Sequence, residues 1–206
     1  MNIRSFFRRK QKVTTEASKT YHVPMYYEHL TVGQWCDYHL AKTDVQRVAA
    51  ALQIPVEEAA RIDRETGEKV LKVFTNALIG EAKFKHRFDL KTKQVGFVPK
   101  LDGITYGEHA DIVNNAKKEN VYKTLPKVLA ILYRPVTKTL GKRYEIEEYN
   151  SERHLCEDNI ALFRDMPMQY ADGALAFFLT ISRELRANLE LSLLRQTKNQ
   201  VMEAVQ

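Results

Sequence analysis

The chain has 206 residues, 44% of them hydrophobic and 10% aromatic, with a formal net charge of +6. That is enough apolar material for a packed core, yet no stretch approaches the eighteen or more consecutive apolar residues of a membrane span, and Met1 to Lys12 holds no apolar signal-peptide core. Cys36 and Cys156 are far apart and belong to no CxxC pair, which argues against a disulfide framework or a cysteine-rich zinc site and for a soluble, cytoplasmic protein.

Residues 1–20 carry six basic side chains against Glu16 alone, a net of +5, which leaves +1 for the rest of the chain. The stretch has no sustained period and reads as a flexible basic arm. Its Arg4, Arg8, Arg9 and Lys10 suit either a solvated end or contact with nucleic acid or an acidic partner. Folded structure is expected from Tyr21, with Val23 held extended by Pro24. Thr31 then caps a helix, and Gln34 three residues on completes a capping box. A second helix runs from Thr43 or Asp44 to Leu52, a short third starts at Pro55, and a fourth spans Glu65 to Ile79 with Val70, Leu71, Phe74, Ala77 and Leu78 at helical spacing.

Residues 83–100 change period to two. Phe84, Phe88 and Leu90 with Val95 and Phe97 predict a β-hairpin with a Lys-rich turn, whose alternating basic positions form a wet face. Ile104-Thr105-Tyr106-Gly107-Glu108 then repeats the apolar-Thr-x-x-Glu/Gln capping pattern, with Thr105 as cap and Glu108 closing the box. Helices follow from Thr105 to about Ala116 and from about Asn120 to Tyr133, ending at Pro135. Thr137 to Tyr149 reads as a weaker hairpin or an extended segment, and Ser151 to Met166 as a helix. Pro167 opens the longest helix, whose apolar stripe runs through Ala174, Leu175, Phe178 and Ile181. Its distal seam, Leu185, Leu189 and Leu193, is suited to a partner helix, to self-association, or to closing on the first half of the chain.

The two capped stretches are also followed by similar runs, Val48 to Val56 and Val128 to Val136, so the chain reads as a duplication. The expected fold class is mainly α: two related helical halves, 21–82 and 101–206, joined by the 83–100 hairpin and ending in a long helix. No catalytic constellation stands out. The six histidines form no H-E-x-x-H pair, and neither G-x-S-x-G nor a phosphate-cradling loop occurs, so no catalytic residue, metal or cofactor is expected. Glu145 and Glu147 alternate as a divalent-ion pair would, although an ordinary edge strand accounts for them better. Arg134, beside Pro135, is suited to cap carbonyls or to fork onto a carboxylate.

Phe97-Val98-Pro99-Lys100-Leu101-Asp102-Gly103-Ile104-Thr105-Tyr106-Gly107-Glu108, followed by Leu132-Tyr133-Arg134-Pro135, Tyr144-Glu145-Ile146-Glu147 and Asp165-Met166-Pro167-Met168, resembles small proteins from the morphogenesis regions of tailed bacteriophages, notably those infecting Bacteroidetes. The first half is similar in pattern to helical tail-assembly chaperones. The resemblance implies a non-enzymatic protein that works by contact with other phage structural proteins. It would be either a minor virion component (connector, tail-region or packaged cargo protein) or a chaperone left in the host cytoplasm. The alternative is a nucleic-acid-binding accessory protein that uses its basic arm.

Overall fold

A computed structural model describes residues 10–14, 20–99, 104–116, 121–141 and 143–179. Two short strands, β1 (Lys10–Thr14) and β2 (Thr20–Pro24), pair antiparallel with Lys10 opposite Pro24. Part of the stretch expected to be an arm is therefore strand, because Gln11 and Val13 fall opposite the extended Val23 and Tyr21. A 3-10 turn at Tyr27–His29 leads into α1 (Val32–Leu40), α2 (Asp44–Leu52), α3 (Val56–Ala59) and α4 (Arg64–Ala77). Their starts are fixed locally. Thr31 and Thr43 each accept from the backbone N–H three residues on, and Gln34 and Gln46 reach back to the cap N–H.

The second part of the chain holds β3 (Arg87–Leu90), β4 (Lys93–Phe97), α5 (Tyr106–Asn115), α6 (Val121–Leu132), β5 (Tyr133–Leu140), β6 (Arg143–Ile146), α7 (Ser151–His154), α8 (Glu157–Arg164) and a helix over 168–179, α9. The strands form one antiparallel sheet in the order β3-β4-β5-β6. The fold is thus mixed α and β, not mainly α. The two hairpins read separately in the sequence merge, because Tyr133, Arg134 and Pro135 pair with Phe97, Gly96 and Val95. Pro135 contributes no N–H, and β5 is bulged just beyond it, between Val136 and Lys138, which lets β6 curl over β4.

This pairing also removes the duplication. Val48 to Val56 ends α2, turns through Gln53 in the left-handed region (φ 55°), and starts α3 after Pro55. Val128 to Val136 instead runs from α6 directly into β5. The likeness of the two halves is confined to shared capping chemistry, and the open edge of β4 decides the different outcome by recruiting Tyr133 onward into the sheet.

One contiguous core joins both parts. α6 lies at its centre, with Leu125 buried and Val128, Leu129, Ala130, Ile131 and Leu132 buried without a break, so that the last turn of the helix is covered on every side. Phe74, Leu30 and Cys36 meet it from the first part, and Phe97, Tyr133, Phe163, Met166 and Met168 from the second. The segment Met166-Pro167-Met168 is a strap: Val32 N–H donates to Met166 O at 2.9 Å and Met168 N–H to Leu30 O at 2.8 Å, fastening the α8–α9 link to the cap of α1. Gly173 of α9 lies so close to the Lys83–Phe84 backbone that a Cβ there would sit 2.4 Å from Lys83 C and Phe84 N. The seam Leu185, Leu189 and Leu193 and the arm residues Arg4, Arg8 and Arg9 lie outside the described residues. No helix among the described residues is long and apolar enough to cross a membrane.

Candidate functional site

Two features stand apart from ordinary core packing, a closed polar cluster around α5 and an open groove on α1 and α2. The cluster grows from the second capping box. Thr105 Oγ1 accepts from Glu108 N–H at 3.2 Å, and Glu108 Oε2 accepts from Thr105 N–H at 2.6 Å. The other carboxylate oxygen, Oε1, lies 2.7 Å from Arg134 Nη2. Both residues are buried, 3% and 6% exposed. Glu108 therefore does two jobs, completing the start of α5 and holding α5 onto the first residues of β5.

One turn along α5, Asp111 Oδ2 accepts from the Tyr149 hydroxyl at 2.6 Å. The Arg134 guanidinium is 5.9 Å from the centre of the Tyr149 ring, and the buried His154 imidazole stacks on the same ring at 5.5 Å. His154 Nδ1 is held by the backbone of Asn150, which caps α7, while its Nε2 is 3.6 Å from Glu147 Oε2. Glu147 also pairs with Arg153. Burial pulls the Arg134 pKa down, opposed by the Glu108 carboxylate. Burial, the hydrogen bond to Asp111 and the neighbouring carboxylates push the Tyr149 phenol up. Arg134 Nε and His154 Nε2 are buried without a hydrogen-bond partner among the described residues.

Arg134 thus pairs with a carboxylate, as its sequence context offered, but through the one contact from Nη2 to Glu108 Oε1 and not as a two-pronged fork. The rest of the cluster could not be read from the sequence, because Asp111, Glu147, Tyr149 and His154 come together only when β5 places Arg134 beside α5. Glu145 is exposed and lies 3.9 Å from Lys138, whereas Glu147 is engaged with Arg153 and His154, so the two carboxylates have different partners. The first capping pair works differently: Gln34 is also buried, and its Nε2 donates to Ala51 O at 3.0 Å, tying α1 to α2.

The open groove lies on that α1–α2 pair. It holds about 670 Å3 and is lined by Leu40, Ala41, Ala49, Ala50, Ile54, Pro55 and Val56 together with the polar Asp37, Lys42, Gln46 and Gln53. Its shape follows from local chemistry. Gln53 adopts the left-handed conformation that ends α2, Ile54 N–H caps Ala49 O at 3.1 Å, and Pro55 redirects the chain into α3. The turn leaves Val56 at 42% exposure in the same groove as Leu40 at 39%. At the near rim Asp37 accepts from Arg164 Nη2 at 2.5 Å, so α8 fixes that side. No protein-family model matches the chain, and no characterised protein or solved structure resembles it at a significant level.

Proposed function

We propose that the chain is a non-enzymatic virion-morphogenesis protein of a tailed bacteriophage, acting by protein–protein contact as a minor virion component or as a tail-assembly chaperone. The observation that carries this reading is the α1–α2 groove, an open recess of mixed apolar and polar lining in which the large hydrophobic side chains Leu40 and Val56 are left exposed. Exposed apolar side chains set among polar groups are the composition of a non-obligate protein-docking surface. The polar cluster of Glu108, Arg134 and Tyr149 supports it from the other side, since the contacts it makes join α5, β5 and the segment that leads into α7. The sequence pattern from Phe97 to Glu108 and from Asp165 to Met168 supplies the phage context, and the partners are other structural proteins of the particle, met in the host cytoplasm or retained in the virion.

The test is particle assembly with Leu40→Asp and Val56→Asp combined. Both side chains are partly exposed, so the melting temperature of the isolated protein should stay close to that of the parent chain. Co-purification with assembling particles, read by mass spectrometry, should fall about tenfold or more, as expected when a charge is placed at the centre of an apolar contact. Recovery at the parent level would remove the groove from the function, and finding the protein in finished particles separates a virion component from a chaperone.

A further inference from the structure

Charge in this protein is segregated by element. Residues 83–99 and 133–146, which hold the sheet and its turns, carry nine basic residues against Asp89 and Glu145, a net of +7. With +5 on residues 1–20 and +6 on the whole chain, everything else carries −6. By spacing alone the sheet's cations belong to a solvated face, but the fold gives them a shape. β5 and β6 form a hairpin exposed from Thr137 to Arg143 among the described residues, and it curls back over the sheet.

Arg87 of β3 anchors the tip of that hairpin, donating to Thr139 Oγ1 at 3.3 Å and to Gly141 O at 3.1 Å. Tyr144 lies over Gly96, where a Cβ would sit 2.5 Å from its ring, and its hydroxyl donates to Phe97 O at 2.7 Å. The tip is therefore a fixed ribbon, with Leu140 62% exposed at its end. Arg134 is paired with Glu108, Lys91 with Asp165 and, at 3.9 Å on the exposed hairpin, Lys138 with Glu145, but Arg87, Lys93, Arg143 and Lys85, whose Nζ lies 4.5 Å over the Tyr170 ring, meet no carboxylate among the described residues.

We propose that this basic β5–β6 ribbon, with the exposed Lys85 just before β3, docks on the phosphate backbone of duplex nucleic acid. A two-stranded β-ribbon fits the major groove of a duplex. Lysine is depleted where proteins meet proteins, whereas phosphate contacts by Lys and Arg dominate affinity for nucleic acid. The negative remainder of the molecule would be repelled by the same polyanion, which orients the ribbon toward it. This inference stands independently of the groove and of the N-terminal basic residues.

The experiment measures binding of a labelled random-sequence DNA duplex to the full chain by fluorescence anisotropy across a salt series. Each cation engaged with phosphate adds about −0.9 to the slope of log K against log salt. Lys85→Glu, Lys138→Glu and Arg143→Glu together should weaken binding about tenfold or more and make the slope shallower by about 3. Arg4→Glu, Arg8→Glu and Arg9→Glu together should leave that share of the slope in place. The Gln versions of the three ribbon changes, all at exposed positions, give the same loss of slope and decide the matter if the charge-reversed chain unfolds in a circular-dichroism melt. Parent-like affinity and slope in the ribbon variants would overturn the proposal. So would a labelled polyglutamate peptide binding as tightly as DNA, which would assign the ribbon to an acidic protein.

Discussion

Glu108 shows how one side chain can tie local and long-range structure together. Its backbone and one oxygen close the capping box of α5, while the other oxygen holds Arg134 in the interior. Removing one member of a buried ion pair leaves a charge with no compensation, a loss of about 3–5 kcal/mol, whereas replacing both with apolar groups is often neutral. Arg134→Ala should therefore destabilise the chain by about that amount in urea titration. Glu108→Leu with Arg134→Met should recover most of it but not all, because Thr105 N–H also loses its acceptor, a capping term of about 1 kcal/mol. Equal destabilisation by the single and double variants would mean that the rest of the cluster, not the ion pair, holds α5 to β5.

At the scale of elements, the structure depends on fastenings made far from the helices they serve. The cap of α1 is bonded to the Met166–Met168 strap, Lys83 N–H donates to Gln169 O at 2.8 Å, and Tyr27 in the 3-10 turn donates to Asp172 on α9. Burial raises the Asp172 carboxyl pKa above its ordinary value. A carboxyl whose pKa is raised by folding adds stability below its unfolded pKa, and this is lost as pH rises through the folded value. Asp172→Asn, neutral at every pH and still an acceptor for Tyr27, should therefore melt higher than the parent chain at neutral pH. The difference should shrink toward zero as pH falls below the ordinary carboxylate range. A lower melting point for Asp172→Asn at neutral pH would show that the Tyr27 hydrogen bond to the charged carboxylate outweighs its burial.

For the molecule as a whole, the contiguous core sets how the chain unfolds. Phe74 of α4, Leu129 of α6, Phe97 of β4 and Phe163 of α8 belong to one buried cluster, so the two parts of the chain should not unfold separately. Trp35, against Tyr122 at a centroid distance of 5.1 Å, reports the α1–α6 junction by fluorescence, and far-UV circular dichroism reports all the helices. Both signals should trace one transition with a common midpoint, and Leu129→Ala should shift both by about 2–5 kcal/mol. Separated midpoints would restore two independent halves.

The sequence by itself determined what depends on neighbours along the chain. Thr31 with Gln34 and Thr105 with Glu108 place helix starts within a turn, the spacing of Val70 and Phe74 gives α4 its buried face, and the alternation of Phe88 and Leu90 with Val95 and Phe97 gives the β3–β4 hairpin. What only the tertiary structure decided is where those elements meet. Phe97 and Tyr133 are far apart in sequence, and nothing near Tyr133 announces a strand, since the run before it is helical and Pro135 argues against a central strand. The open edge of β4 overrides that local preference, because main-chain hydrogen bonds and the packing of Tyr133 against Phe97 outweigh a helix that Pro135 would have ended in any case. From that one pairing follow the mixed fold, the loss of the duplication, the Arg134 cluster and the curled basic ribbon. The groove likewise needs α2 and α3 to turn at Gln53 beside the end of α1, a juxtaposition that periodicity does not record.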